Sequence, residues 1–428
     1  MKNNYNRKFD LRYVAVILII FSALGVYLNT LFNGFVFDDE SEILKNPWIK
    51  STKFIPEIFL SYSWGFQYSE STSYYHPMKF LLYMFQYRIF GTEPWGYHLT
   101  NVIGHAIVTV LVFFIGISLF NQVFHKKTIV FPAIAAILFA VHPIHTEVVA
   151  WIAGSGDLFM SCFFLLSFFV YINSANQQYR RFIISAIIFF IATLFKATAM
   201  TLPLLFIIYD YSFKKGFFDN TLQGNPFKIS LYRRYIPFII AALAYLSLRT
   251  YAVKGFIPEK SYTEDYAYMI FINILTVFAK YLEMLVYPFN LNIMHVFHPV
   301  LSIDGKVVAA FCIFALFIAL VLVTRKKNRG IFFGLLWITI PLIPVLYIPA
   351  FLRENALAER YLYLPSVGFI ISLTFMLKSI YQKRLSKGMT VILISLCISV
   401  VAVIFALQTV KRNSVWRDNY TLWLQFRQ

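Results

Sequence analysis

The sequence predicts an all-α, polytopic membrane protein, and three observations carry that prediction. Of its 428 residues, 59% are hydrophobic and only 14% are charged, with a mean hydropathy of +0.66. A soluble globular protein has about a quarter of its residues charged. The apolar residues fall into long runs, and the basic residues collect in alternate connections between them. Most of the surface must therefore face lipid, around a single membrane domain with loops.

Eleven apolar runs are long enough, or nearly long enough, to cross a bilayer core of about 30 Å. We expect spans at about 13–31, 98–120, 129–144, 158–174, 182–195, 199–213, 235–251, 307–324, 331–349, 361–378 and 389–408. We expect the first run to be retained as a span, because its core is too long for a cleaved signal peptide and no obvious small-residue cleavage site follows it.

The charges predict which face each connection occupies. With the N-terminus in the cytoplasm, short cytoplasmic segments hold 21 of the 38 Lys and Arg residues, as the positive-inside rule requires. This asymmetry explains the net charge of +18 better than nucleic-acid binding does. By contrast, 17 of the 20 Asp and Glu residues fall on the outer side or at its membrane edge. Chemistry that needs carboxylates is therefore expected on the non-cytoplasmic face.

Two long outer loops are expected, at 32–97 and 252–306. The first contains amphipathic pieces and a short apolar run after His76, which predict helices lying along the membrane. In the second, 267–300 resembles a twelfth span, but a full crossing would invert every later loop. We interpret it as an interfacial or re-entrant helix on the outer face, with non-helical backbone at Pro288. Two short crossings are the alternative.

The strongest local signal is the acidic run Asp38, Asp39 and Glu40, directly after the first span. Adjacent carboxylates repel one another, and at a membrane edge their pKa values rise unless a cation or metal lies near. An aspartate there can also cap the next helix, but one residue would serve for that. The functional interpretation is a general base, or an acceptor-orienting pair, in an outward-facing site.

A second polar cluster ends the third span with His142, His145 and Glu147, and Asp157 follows a glycine-containing turn. His145 and Glu147 would not share a helix face, so the HExxH zinc pattern is absent. Metal binding by the two histidines and Glu147 is one alternative. We favour a polar wall near the interface, because ionisable residues at membrane depth mark substrate sites. The glycines are expected to return Asp157 to that wall.

A third set consists of cations at the outer edge. Any one of them can simply snorkel to lipid headgroups. Several cations beside carboxylates at one depth, however, suit a bound anion whose tail lies in lipid. Arginine offers phosphate a rigid fork of donors. A lipid-phosphate donor with a hydroxyl acceptor would need both the acids and these cations. The set is His76, Lys79, Lys196, Arg249, Arg353 and Arg360.

The chain resembles the transmembrane and tetratricopeptide-repeat containing O-mannosyltransferases and their bacterial relatives from about residue 30 to 425. Six segments carry the resemblance, in the same order: FVFDDESEILKNPWIK, YYHPMKFLLYMFQYRIFGTEPWGYHLTNVIGHAIVTVLVFF, HPIHTEVVAWIAGSGDLF, FKATAMTLPLLFIIYDYSF, AERYLYLPSVGF and SVWRDNYTLW. The resemblance implies the GT-C fold of polytopic glycosyltransferases, which take a sugar from a polyprenyl-phosphate carrier.

By this resemblance, the catalytic or acceptor-contacting acidic pair of the first outer loop falls on Asp38 and Asp39. The motif positions that hold the carrier phosphate match Arg360 and Lys196. Three positions depart from the family pattern: His76 and Ser155 stand where relatives commonly have Arg, and Ala197 stands where they commonly have Glu.

The resemblance also implies a domain organisation and a location. Residues 1–408 would form the GT-C catalytic membrane domain, and 409–428 an outer segment after which relatives continue into repeat helices. We expect the inner membrane of a bacterium, with the N-terminus in the cytoplasm and the active site and C-terminus in the periplasm.

Together these observations predict a glycosyltransferase that moves a monosaccharide, with mannose a candidate, from polyprenyl phosphate to a hydroxyl of protein Ser/Thr or of a glycan, with inversion. Asp38 or Asp39 would be the base. Arg360, Arg353, Lys196 and His76 would hold the donor phosphate, and Glu147, Asp157, His142 and His145 would position the reactants. The scheme needs no cofactor or metal and is compatible with a divalent cation. Membrane lipids are expected partners, and nucleic acid is not.

A transporter or flippase for a lipid-linked or anionic solute is the alternative. It would need ionisable residues near the bilayer midplane and broken helices in paired halves. The charges of this sequence concentrate at one face instead, which favours an enzyme.

Overall fold

The computed structural model describes residues 11–67, 74–125, 128–174, 179–214, 233–255, 267–293, 295, 300–346, 357–384 and 388–426. Within these ranges the chain forms helices, turns and irregular segments, and no strand. The all-α prediction is therefore confirmed.

The α-helices follow the apolar runs of the sequence. They are α1 (Leu11–Gly25), α2 (Ile55–Leu60), α3 (Pro77–Phe90), α4 (Pro94–Phe124), α5 (Val130–Ala140), α6 (Thr146–Ala150), α7 (Ser155–Ile172), α8 (Tyr179–Phe195), α9 (Leu202–Phe213), α10 (Ile236–Val253), α11 (Ala267–Val286), α12 (Gly305–Lys327), α13 (Arg329–Thr339), α14 (Ile343–Leu346), α15 (Tyr363–Arg384), α16 (Gly388–Asn413) and α17 (Asn419–Phe426).

Each of the eleven predicted spans overlaps one of these helices. Among the described residues, nine helices are long and apolar enough to cross a membrane, or ten if the bent pair Val130–Ala140 and Pro143–Ala150 is one span. α8 and α9 are shorter apolar helices. The faces of α1, α10, α12 and α16 carry many exposed large apolar side chains, as helices that contact lipid should. The chain is therefore an integral membrane protein.

α11 is the segment for which we expected an interfacial or re-entrant helix. It is one continuous helix, and Tyr268–Val286 is long and apolar enough to cross a membrane. Helical backbone ends at Val286, before Pro288. Near its start, Asn273 exchanges side-chain hydrogen bonds with the backbone of Val300. Its position relative to the membrane stays a prediction.

The main core lies between α4, α5, α7, α8, α9, α13 and α15. Aromatic rings fill much of it: Phe168 stacks on Phe206 with ring centroids 6.1 Å apart and contacts Trp337 at 4.8 Å. Where α13 meets α15, Gly334 and Gly368 let the two backbones touch. Small residues at helix contacts are a common packing device in membranes, because they permit close approach.

The first outer loop has its own small core. Short helical turns at Glu40–Leu44, Trp48–Lys50 and Thr52–Phe54 precede α2 and α3. Ile43 and Trp48 of these turns and Ile58 of α2 are buried against Phe80 and Tyr83 of α3. The loop therefore contains helices as expected, while their position along the membrane stays a prediction. The packing fixes the acidic run at the end of the bundle where α7 begins.

Candidate functional site

Asp38 lies half-buried in the acidic loop, between Val36 and the turn Glu40–Leu44. Burial raises the pKa of its carboxyl above the usual value, and the charges of Lys79 and Arg360 act in the opposite direction. Within the described ranges, the side chain of Asp38 makes no hydrogen bond and no ion pair. Its carboxylate is therefore available to a substrate.

Asp39 is fully buried and has a different environment from its neighbour. Its Oδ2 accepts a hydrogen bond from the backbone N–H of Val36 at 3.0 Å, and its Oδ1 accepts one from Ala153 at 2.8 Å. Burial raises its pKa well above the usual value, against the two backbone donors. Asp39 thus anchors the acidic loop to the turn before α7, and a role as base or acceptor-orienting group stays a prediction.

Glu42 and Lys79 form the first of three buried ion pairs at this end of the bundle. Lys79 Nζ lies 2.7 Å from Oε1 and 2.6 Å from Oε2 of Glu42. Tyr83 adds a hydroxyl 3.2 Å from Oε2, and Ser155 donates to that hydroxyl at 3.2 Å. Ser155, which stands where the proteins that this sequence resembles commonly have Arg, therefore supports this network. Lys79 sits on the first turn of α3, directly after Pro77 begins that helix.

Asp157 and Lys196 form the second pair. Lys196 Nζ lies 2.7 and 2.6 Å from the two carboxylate oxygens of Asp157 and 5.2 Å from the ring centre of Tyr361. Asp157 is in the first turn of α7, and Lys196 lies between α8 and the turn Ala197–Thr201. The glycine-containing turn does return Asp157 to the site: a Cβ at Gly154 would meet the carbonyl oxygens of Glu147 and Val148 at 2.7 Å.

Glu147 and Arg360 form the third pair. The backbone N–H of Arg360 donates to Glu147 Oε2 at 2.8 Å, and its Nη1 binds Oε1 of the same carboxylate. The guanidinium also lies 5.9 Å from the ring centre of Trp151 and 5.1 Å from that of Tyr361. Two contacts to one carboxylate and two aromatic faces fix the direction of this arginine.

The three pairs are close enough to act on one another electrostatically. Burial lowers the pKa of Lys196, and the charges of Arg360 and Lys79 lower it further, while Asp157 raises it. Burial raises the pKa of Tyr74, and the charges of Arg360, Lys196 and Asp38 all act on it. The Asp38 carboxylate is therefore within electrostatic reach of Lys79 and Arg360, and the joint binding of a phosphate by these cations stays a prediction.

His76 lies among these cations without adding to their charge. Burial lowers its pKa well below the usual value, and Lys79, Lys196 and Arg249 lower it further. Its backbone N–H donates to Ser63 at 2.9 Å. The imidazole is therefore neutral near pH 7, and its predicted contact with a donor phosphate would be a hydrogen bond rather than an ion pair.

His142 and His145 lie in the core beside this site and contact other parts of the fold. His142 Nε2 is 3.1 Å from the carbonyl oxygen of Leu285, and His145 Nε2 is 2.8 Å from the hydroxyl of Ser366. Both are buried. Their predicted positioning role would thus act through packing. Arg353 lies outside the described residues.

Sequence reasoning missed a further buried network next to the third pair. Arg412 Nη2 lies 2.8 and 2.7 Å from the carboxylate oxygens of Glu359, and His295 Nε2 lies 3.2 Å from the same group. Arg412 Nη1 also donates to the carbonyl of Leu291. A signal was present, because Arg412 and its neighbour Lys411 follow the predicted last span closely, but no pattern named the partner of Arg412.

Among the described residues, no group of three or more His, Cys, Asp or Glu side chains is placed to hold a metal ion. The cations are built into the chain instead, as Lys79, Lys196 and Arg360. The metal-free scheme stays a prediction.

The fold is that of an integral-membrane protein of the GT-C fold class. The chain superposes on the crystal structure of the Archaeoglobus fulgidus oligosaccharyltransferase tethered to an acceptor peptide with a TM-score of 0.50 and 13% identity, over 95% of this chain and 55% of that one. ArnT from Cupriavidus metallidurans, bound to undecaprenyl phosphate, gives a TM-score of 0.43 with 12% identity, over 85% of this chain and 60% of that one.

Its sequence relatives are protein O-mannosyl-transferases. TMTC3 of Mus musculus is 28% identical over 448 residues, which cover 97% of this chain and 47% of that protein. TMTC2 of Mus musculus is 37% identical over 167 residues, which cover 37% of this chain and 19% of that protein. The chain thus spans about half the length of the first relative and less of the second. No protein-family model matches it.

Proposed function

We propose that this protein is a glycosyltransferase that transfers a monosaccharide from a polyprenyl-phosphate carrier to a hydroxyl acceptor. One observation carries the proposal: three carboxylates at this site each bind one cation, whereas Asp38, beside them, has no partner among the described residues. A carboxylate left available next to fixed cations is what a base needs beside an anionic leaving group. The names of the sequence relatives support mannose as the sugar and protein as the acceptor.

In the proposed reaction, the donor enters from the membrane with its phosphate at Lys196 and Arg360. The acceptor hydroxyl oxygen attacks the anomeric carbon, and Asp38 accepts its proton. The bond from that carbon to the phosphate oxygen breaks on the opposite side, so the configuration inverts. Polyprenyl phosphate leaves with one more negative charge, which the cations stabilise. This stabilisation is large because the site is buried and the cations are already oriented.

Arg360 suits this task because its partners hold it in place before the donor arrives. The carboxylate of Glu147 binds Nη1 of the guanidinium, and the ring of Tyr361 lies beside the guanidinium. Arg353 would add a second arginine at the donor phosphate, and His76 would donate a hydrogen bond to that phosphate. We place this face in the periplasm of a bacterial inner membrane, with the N-terminus in the cytoplasm. The sequence asymmetry of Lys and Arg supports that orientation.

The test is sugar transfer by the full chain in proteoliposomes, from labelled polyprenyl-phosphate mannose to a Ser/Thr peptide. We expect Asp38→Asn to lower kcat by at least about a hundredfold, as loss of a general base does. Arg360→Ala should raise the donor KM and lower kcat. Glu57→Gln is the matched control, because Glu57 is an exposed carboxylate in the same outer loop.

Full sugar transfer by a folded Asp38→Asn variant would exclude Asp38 as the general base. Movement of the labelled lipid across the bilayer without transfer to any acceptor would favour the flippase alternative. Transfer of another polyprenyl-phosphate sugar, with mannose inactive, would correct the donor and leave the reaction class intact.

A further inference from the structure

Asp38 follows a residue with unusual backbone geometry. Phe37 has a φ of +53°, in the left-handed region that bulky residues rarely adopt. Such a conformation costs free energy and persists only where surrounding contacts impose it. The contacts that hold Phe37 therefore determine where the next residue, Asp38, points.

One of these contacts comes from the far end of the chain. The side-chain Oδ1 of Asn419, the first residue of α17, accepts the backbone N–H of Phe37 at 3.0 Å. Its Nδ2 donates to Oε1 of Glu40 at 2.7 Å. One amide thus binds the residue before the acidic pair and the residue after it. An amide side chain carries its acceptor and its donor on separate atoms, which suits such a bridge.

Neighbouring contacts hold α17 in the same register. The backbone N–H of Gly34 donates to the carbonyl of Arg417 at 2.9 Å. The ring of Phe37 lies between Trp151, at 6.0 Å, and Trp423 of α17, at 5.8 Å. Trp416 stacks on Trp151 at 5.5 Å. The bridge is therefore supported by packing on both sides.

We infer that Asn419 is a positioning residue for the reaction: its amide fixes the Phe37–Glu40 loop so that Asp38 meets the acceptor hydroxyl. This inference rests on the proposed function, because it assigns Asn419 to the carboxylate that acts there. The C-terminal segment then completes the active site. Asn419 acts through the loop backbone and touches neither substrate.

Sugar transfer by full-length variants in proteoliposomes, with polyprenyl-phosphate mannose and a Ser/Thr peptide, tests the inference. We expect Asn419→Ala to lower kcat by about tenfold or more with little change in the donor KM, because a displaced base slows chemistry and leaves the phosphate contacts in place. Asn419→Asp keeps an acceptor for Phe37 but repels Glu40. Asn419→Asp combined with Glu40→Gln restores a donor and an acceptor across the bridge and should recover most of the kcat.

A second readout requires no sugar donor. Hydrogen exchange of the peptide amides at 34–45 should be faster in Asn419→Ala than in the wild type, because the Phe37 amide loses its acceptor. Tyr420→Ala is the matched control, since Tyr420 is 74% exposed on the same helix. It should leave both readouts unchanged.

Wild-type kcat and unchanged exchange in Asn419→Ala would overturn the inference, as would equal losses in Tyr420→Ala or no recovery in the double variant. If Asn419→Ala does not fold, the other two variants decide: a wild-type kcat in Asn419→Asp, or no recovery of kcat when Glu40→Gln is added, would overturn the inference. A wild type without sugar transfer would contradict the proposed function. The exchange experiment would still decide whether Asn419 holds the loop.

Discussion

Ala153 donates its backbone N–H to Oδ1 of Asp39 across 2.8 Å, and this bond joins the first outer loop to the turn that precedes α7. The other oxygen of Asp39 is occupied by Val36. Two neighbouring aspartates thus have different surroundings: both oxygens of Asp39 are bound by backbone N–H groups, and the carboxylate of Asp38 has no such partner among the described residues.

The first prediction separates these two aspartates. Asp39→Asn should lower the free energy of unfolding by about 1–3 kcal/mol, because one oxygen becomes an NH2 group that faces a buried N–H donor. Asp38→Asn should change stability little and abolish sugar transfer. Thermal unfolding in detergent, measured beside transfer, distinguishes them. Equal stability of the two variants would show that the Asp39 contacts contribute nothing to the fold.

The pH dependence of kcat provides a second prediction. Asp38 must be ionised to accept a proton, and burial raises its pKa above the usual value of 3.8. Activity should therefore fall as the pH is lowered through that raised pKa, at a higher pH than an exposed aspartate would give. Lys79 lowers the pKa of Asp38, so Lys79→Met should shift the acid limb to higher pH.

Lys79→Arg is the control for this shift, because it retains the positive charge. Profiles of kcat at saturating donor, between about pH 4 and 8, are the measurement. An acid limb that stays in place when Lys79 loses its charge would mean that another group titrates.

The pair of Lys196 and Asp157 allows stability and function to be separated. Lys196→Met leaves the largely buried Asp157 carboxylate without its cation, so the free energy of unfolding should fall by about 3 kcal/mol or more. Adding Asp157→Asn removes the stranded charge and should restore most of that stability. Sugar transfer should not recover, because the donor phosphate still lacks Lys196.

Unfolding and donor KM of both single variants and the double variant complete the cycle. Recovery of the wild-type donor KM in the double variant would assign Lys196 to the fold alone.

Asp210 provides a prediction that does not depend on the reaction. This buried carboxylate binds the hydroxyls of Tyr171 and Tyr235 at 2.6 and 2.8 Å, Arg234 at 2.8 Å and Lys214 at 2.6 Å. Removing one partner of a buried ion pair costs about 3–5 kcal/mol. Asp210→Asn should therefore greatly reduce the amount of folded protein, whereas Tyr235→Phe should cost only about 1 kcal/mol.

The folded fraction of Asp210→Asn should retain wild-type kcat. Tyr171 lies in the last turn of α7 and Asp157 in its first turn. They are 14 positions apart in the chain, which is about 21 Å along an α-helix, so a change at Asp210 is far from the site. Loss of kcat per folded molecule would show that the two ends of α7 are coupled.

Much of this fold could be predicted from the sequence, because a membrane span needs only length and apolar composition. The run 98–120 became α4, whereas the shared role of the outer-loop cations stays a prediction. The position of α11 could not be derived in this way, because an interfacial helix and a span share the same composition.

Individual roles in the site were harder to predict, because they depend on contacts between distant parts of the chain. Asp38 and Asp39 are equivalent by sequence, and the backbone N–H groups of Val36 and Ala153, which bind Asp39, distinguish them in the structure. Asn419 lies 382 residues from Phe37, and no local pattern pairs them. The pKa of His76 is lowered by its burial and by the charges of Lys79, Lys196 and Arg249, and both the burial and the nearness of the last two cations arise only on folding.

The contact between α13 and α15 provides the final prediction. A Cβ at Gly368 would lie 2.6 Å from the carbonyl oxygen of Gly334 and 2.7 Å from Cβ of Trp337. Gly368→Ala must therefore push the two helices apart, at a cost of about 1–3 kcal/mol, and should lower the unfolding temperature. Gly25→Ala in α1 is the matched control, because a Cβ there meets nothing within 4 Å. Since α15 follows the turn that carries Arg360, the displaced helix should also raise the donor KM. An unchanged unfolding temperature in Gly368→Ala would show that the helices can separate at no cost.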